Sequence, residues 1–240
     1  MSQVRAALLT ALPQELAPLV ASWGVSRPRT GVVYRGEGAE GEALAAFCSG
    51  PGTIAAALGA ARFLSQVKPR ALVMGGIAAA GGDGARPGDL VLADRLGFYG
   101  VDVTALGVAP GALRKGESPE RDAPLSPDLV VGADLHRHLH RRLRGQLRRG
   151  VILTGDCFLD SRLLAELPPV WQERIARAQA LDMESAAWAV AADQAGVPWL
   201  AARYISDDPF RDERLSFAES CRRAGENLDL ILQLLLPCRA

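Results

Sequence analysis

Short, almost uninterrupted apolar runs recur along this chain at residues 6–10, 43–48, 71–74, 89–93, 151–154, 180–183 and 199–205. A strand that is apolar on both faces must be covered on both, so these runs predict a sheet buried between layers, or a distorted barrel, rather than a sheet open to water. Segments with helical spacing lie between them, at 14–22, 53–67, 127–147, 162–178, 185–195 and 217–236. This alternation predicts one α/β domain over residues 1–240, a three-layer α/β/α sandwich with a central twisted mixed sheet.

With 49% hydrophobic and 22% charged residues, the chain can bury one large core. Its 27 basic and 27 acidic residues cancel, so no overall field draws it to nucleic acid or an anionic membrane, and a small molecule is the expected partner. No apolar stretch reaches the roughly 18 residues of a membrane span. Cys48, Cys157, Cys221 and Cys238 are scattered, form no CxxC pair and follow no signal peptide; they read as reduced thiols of a cytoplasmic protein. Residues 107–127 carry four prolines and little periodicity, which predicts a long surface loop. His136, His138 and His140 alternate with arginines and read as a solvated helix face rather than a metal site. No aromatic platform accompanies those arginines to make an RNA surface.

Two glycine-rich segments follow predicted strands, Ser49-Gly50-Pro51-Gly52-Thr53 and Gly75-Gly76-Ile77-Ala78-Ala79-Ala80-Gly81-Gly82. Both read as turns in which small side chains let a ligand approach the backbone. Carboxylates at the ends of apolar runs are more informative, because a charge there needs a partner, a ligand or a shifted pKa. Glu15, Glu184 and Asp207 stand at such places. If their strands run parallel, the three carboxyls gather along one edge of the sheet.

Taken together, the segments resemble the nucleoside phosphorylase and nucleosidase superfamily, and within it the 5'-methylthioadenosine/S-adenosylhomocysteine nucleosidases. The most specific matches are Ala180-Leu181-Asp182-Met183-Glu184-Ser185-Ala186-Ala187 and Arg203-Tyr204-Ile205-Ser206-Asp207. Further matches, in order, are Ser49 to Ala57, Pro87 to Val91, Asp102 to Ala105, Thr154 to Phe158 and Leu215 to Phe217. The resemblance implies cleavage of a purine N-glycosidic bond, with a role in purine nucleoside metabolism and methionine salvage. Such cleavage leaves positive charge on the sugar and negative charge on the departing base, so it needs a base-side acid and sugar-side negative charge.

By resemblance, Asp207 is the general acid for purine N7 and Ser206 orients it. Glu184 binds the ribose hydroxyls, Met183 packs on the sugar, and Glu15 activates water. Phe158 stacks on the purine and Leu159 offers backbone to its edge, while Ile77 and Ala78 lie in the substrate-binding glycine-rich segment. Val103, Leu106 and Phe217 line an apolar 5' pocket that in the family is completed across a homodimer. No cofactor or metal is implied. Phosphorylases of the superfamily hold phosphate with an arginine and a serine where this chain has Met74 and Ile77, which favours hydrolysis over phosphorolysis. The chain departs from the nucleosidases too: Ile77 replaces a serine, Asp182 a glutamate, and Gly100 an acidic residue. Futalosine hydrolase, a hopanoid-linked nucleosidase and a true phosphorylase share the acid and the ribose carboxylate. A binding module without catalysis is the alternative from another class, and a structural protein would pair these carboxylates with basic side chains instead of facing them into a cavity.

Overall fold

A computed structural model of the protein describes residues 3–38, 41–124 and 145–235. Its strands are β1 (Ala6–Thr10), β2 (Val33–Glu37), β3 (Ala43–Cys48), β4 (Ala71–Ala80), β5 (Leu90–Phe98), β6 (Glu120–Asp122), β7 (Leu147–Thr154), β8 (Ala180–Asp182), β9 (Trp199–Asp208) and β10 (Glu213–Arg214). Its helices are α1 (Pro13–Ala21), α2 (Thr53–Val67), α3 (Ser161–Glu166), α4 (Pro169–Ala176), α5 (Ser185–Gln194) and α6 (Phe217–Leu235).

All the strands join one mixed sheet in the order β10-β9-β5-β7-β8-β4-β1-β3-β2, with β6 beside β5. Because β4 also pairs with β9, strands β4, β9, β5, β7 and β8 close on themselves, and the sheet is part barrel, part open wing. The apolar runs alternate as strands require. Ala7 and Leu9 of β1 enter the core under α2 and α5, where Phe63 and Trp188 pack. Ala6 and Leu8 enter the opposite core under α1 and α6, with Leu19, Leu228 and Ile231. A third cluster, including Leu153, Trp171 and Ile175, lies beneath α3 and α4. The fold is thus mixed α/β with a central mixed sheet covered on both faces. Among the described residues, no helix is long and apolar enough to cross a membrane.

Several expectations are corrected. The segment 162–178 is two helices, because Pro168 and Pro169 lack N–H donors and force the residue before them out of helical geometry; Leu167 is extended at φ −66°, ψ 148°. Gly75 to Ala80 is not a turn but the continuation of β4, paired with β9 as far as Ala79 and with β8 at Ala79 and Ala80. Its glycines are demanded by close packing: a Cβ on Gly75 would lie 2.2 Å from the Ala202 carbonyl oxygen. Strands β5 and β7 are longer than their apolar runs, and β2, β6 and β10 carry no buried-strand signature because they are short partners, β2 and β6 half-exposed and β10 exposed. β6 falls inside the expected loop 107–127 and pairs with β5. The expected helix 127–147 lies almost wholly outside the described residues, as do the three histidines; Leu147 itself opens β7.

Candidate active site

Glu15 sits at the third position of α1 and turns back on the backbone that starts the helix. Its Oε2 accepts from the N–H of Ala11 at 3.1 Å and of Leu12 at 2.8 Å, and Oε1 accepts from the N–H of Ile77 at 2.8 Å. The side chain reaches β4 only because residue 76 has none: a Cβ on Gly76 would lie 2.3 Å from Oε1. Burial pushes the Glu15 carboxyl up to about 7, while Arg203 and the Ile77 and Leu12 N–H groups pull less strongly downward.

Glu184 follows β8. That strand runs antiparallel to β4 while β1, β4 and β9 are parallel to one another, so the condition of three parallel strands is not met at β8. Glu184 is nevertheless brought to the same place. Its Oε1 accepts from the N–H of Gly52 at 3.0 Å, and its Oε2 lies 3.2 Å from Arg203 Nη2. Burial raises the Glu184 carboxyl; Arg203 opposes this and Asp182 adds to it.

Arg203 is the residue that sequence reasoning quoted only as part of a motif. It is fully buried in β9, with Nε 2.7 Å from Asp182 Oδ2 and 3.0 Å from Ser185 Oγ, Nη1 3.3 Å from the Ile77 carbonyl, and the guanidinium 4.9 Å over the Trp188 ring. Burial alone would push its pKa down, but Asp182, Glu184 and Glu15 outweigh that and hold it charged. Asp182 in turn accepts from Thr154 Oγ1 at 2.5 Å and from the N–H groups of Glu184 and Ser185 at 3.2 Å each. The signal was available: an arginine inside a run as apolar as 199–205 must find carboxylates.

Asp207 is delivered by a bulge. β4 pairs Ala78 with Ile205 and Ala79 with Asp207, leaving Ser206 as an extra residue on β9. The bulge breaks the strand's alternation, and Ser206 and Asp207 both line the same space. Ser206 Oγ lies 2.6 Å from Asp207 Oδ1 and 3.2 Å from the Ala78 carbonyl. Burial raises the Asp207 carboxyl, against the opposing Ser206 hydrogen bond and Arg214 charge.

A cavity of about 190 Å³ is lined by Glu15, Ile77, Ala78, Phe158, Leu159, Met183, Glu184, Ser206, Asp207 and Phe217, and also by Tyr99 and Asp182. Glu184 therefore does two things at once, pairing with a buried arginine and facing a cavity. Tyr99 is missed by sequence reasoning; its hydroxyl is spent on the Cys157 carbonyl at 2.7 Å, so it contributes a wall rather than a free donor. Phe158 is 60% exposed and Phe217 54%. Val103 and Leu106 do not line the cavity; Val103 precedes a 3₁₀ turn, Thr104–Leu106, and Leu106 is 77% exposed.

The Phosphorylase superfamily model matches residues 5–237. The chain belongs to the Phosphorylase superfamily. Among its relatives in the superfamily, the 5'-methylthioadenosine/S-adenosylhomocysteine nucleosidase of Haemophilus influenzae (strain 86-028NP) is 29% identical over 222 residues, covering 88% of this chain and 89% of that protein. The enzyme of the same name from Actinobacillus succinogenes is 30% identical over 210 residues, covering 85% of each. A crystal structure of 5'-methylthioadenosine/S-adenosylhomocysteine nucleosidase from Helicobacter pylori with butyl-thio-DADMe-Immucillin-A has the same superfamily fold, with a TM-score of 0.79, 21% identity, and coverage of 98% of this chain and 99% of that one.

Proposed function

We propose that this chain is a purine nucleoside N-ribosyl hydrolase, acting on 5'-methylthioadenosine or S-adenosylhomocysteine as its named relatives do. The observation that carries the reading is one cavity holding both a carboxyl raised by burial, Asp207, and a carboxyl poised at about 7, Glu15. Burial raises both carboxyls, so the cavity holds two groups able to carry or accept a proton closer to neutrality than ordinary carboxylates; Asp207 is assigned the acid and Glu15 the base from the motifs they occupy.

Asp207 gives its proton to purine N7 as the glycosidic bond breaks, so the base leaves neutral. Glu184, held by Arg203 and the Gly52 N–H, accepts from the ribose hydroxyls and places negative charge near the cationic sugar. Glu15 takes a proton from water as its oxygen bonds to the anomeric carbon, and solvent later restores both carboxyls. Phe158 stacks on the base, with the Leu159 backbone at its edge, and Met183 packs on the sugar.

Water is favoured over phosphate by what holds Glu15. The N–H groups of Ala11, Leu12 and Ile77 that could bind an oxyanion are already committed to its carboxylate, and Met74 and Ile77 bring no side-chain donor. A dianion would meet a like charge there. Val103 and Leu106, which lie outside the cavity of a single chain, are assigned to the 5' pocket of a neighbouring subunit in a homodimer. The unbridged Cys48, Cys157 and Cys221 suit a reducing cytoplasm.

The test is release of free base from methylthioadenosine, S-adenosylhomocysteine, futalosine, inosine and adenosine, with and without phosphate, followed by chromatography. Release without phosphate that Asp207→Asn abolishes supports the hydrolase; release only with phosphate overturns it.

A further inference from the structure

Two charged residues flank Asp207 from different directions: Asp208 follows it on β9 and Arg214 opposes it on β10. β10 pairs antiparallel with β9, Arg214 opposite Asp207 and Glu213 opposite Asp208, and the pairing continues in a 2.8 Å bond from the Leu215 N–H to the Ser206 carbonyl. Directly opposed residues leave the same face of a sheet with Cβ atoms about 5 Å apart, so Arg214 lies alongside Asp207. Its guanidinium is placed 5.5 Å over the ring of Phe158, which lines the same cavity. Asp208 does not line the cavity. Its buried carboxylate accepts from the Phe210 N–H at 2.9 Å and is paired with Arg211 at 2.6 Å and Arg86 at 3.5 Å. These contacts tie the end of β9 and the turn leading to β10 into one unit.

We propose that Arg214 and Asp208 are positioning residues for the reaction at Asp207: Asp208 fixes the end of β9 through Phe210, Arg211 and Arg86, and Arg214 faces Asp207 from β10 while spanning to Phe158. The proposal rests on the reading of Asp207 as the general acid. Arg214 favours the carboxylate, Asp208 the carboxylic acid, and burial does the rest. The remaining charges of the cavity, Glu15, Glu184, Asp182 and Arg203, are grouped with one another, and Ser206 is the polar partner on the strand itself. Glu213 lies opposite Asp208 on β10 and adds to burial in raising its carboxyl. Asp208 offsets part of the Arg211 and Arg86 charge, so removing it deletes a negative charge and leaves both guanidinium groups without that partner.

The test is the pH profile of kcat/KM for base release by Arg214→Met and Asp208→Asn, with folding checked by circular dichroism. The limb on which Asp207 loses its proton is expected to move up for Arg214→Met and down for Asp208→Asn, each by about half a pH unit or more, hence about threefold in rate on that limb. If Asp208→Asn does not fold, the upward shift in Arg214→Met decides alone. Limbs that stay in place or move in the same direction overturn the proposal. Loss of base release in the wild type would instead overturn the hydrolase reading.

Discussion

The backbone N–H of Ile77 donates to Glu15 Oε1 at 2.8 Å, joining the first helix to the middle of β4 across 62 positions of sequence. The bond places a carboxyl raised to about 7 in the cavity. A base of that proton affinity works only once ionised, so kcat/KM for base release is expected to rise with pH up to about 7. Glu15→Gln should lower kcat by about 10² to 10⁴ while leaving binding of a nucleoside analogue within a few-fold. A stopped assay across pH 5 to 9 checks both. A variant retaining wild-type kcat would remove Glu15 from the reaction.

Gly76→Ala should be nearly as damaging without touching a titratable group. The new Cβ would fall 2.3 Å from Glu15 Oε1 and 2.6 Å from its carboxyl carbon, and the residue holds φ at +151°. The carboxylate must then leave the Ile77 N–H. Activity is expected to drop by at least an order of magnitude, and thermal denaturation should show a loss of about 1–3 kcal/mol from overpacking. An alanine variant as active as wild type would mean that the bond to Ile77 is dispensable.

Glu15 also couples stability to pH. Its carboxyl releases a proton near 4.5 when unfolded and near 7 when folded, so between those values the folded state binds more protons and stability falls as pH rises. The full span corresponds to about 3 kcal/mol, at about 1.4 kcal/mol per pH unit; below 4.5 and above 7 this group adds no slope. Urea midpoints are expected to decline from pH 5 to 7.5 more steeply in wild type than in Glu15→Gln. Equal slopes would show that Glu15 is not protonated in the folded state at pH 5.

What the residues disclose in advance follows from how local each signal is. The runs at 6–10, 43–48 and 199–205 are strands because apolar side chains on both faces leave no other arrangement, and Glu15, Glu184 and Asp207 stand out because a charge beside such a run needs a reason. The role of Arg203 depends on Asp182 and Glu184 from another strand end, a meeting that spacing along the chain does not encode. The bulge at Ser206 is likewise a property of two strands in register rather than of either alone. The glycines at 75 and 76 looked like a turn because glycine usually marks one; here they serve close approach, to the Ala202 carbonyl and to Glu15.

Leu106 offers a last test, of the assembly. It is 77% exposed at the end of a 3₁₀ turn, while Ile54 and Leu58 on the first turns of α2 are 74% and 69% exposed. The proposed homodimer covers Leu106 by giving it a place in the neighbour's 5' pocket. Leu106→Asp should weaken the dimer in sedimentation velocity, because a carboxylate would be buried without a partner. It should also raise KM for methylthioadenosine more than for adenosine, whose 5' hydroxyl asks less of an apolar wall. A wild-type chain that sediments as a monomer and still cleaves methylthioadenosine would show that one chain completes the pocket by itself, and Leu106 would lose its assignment.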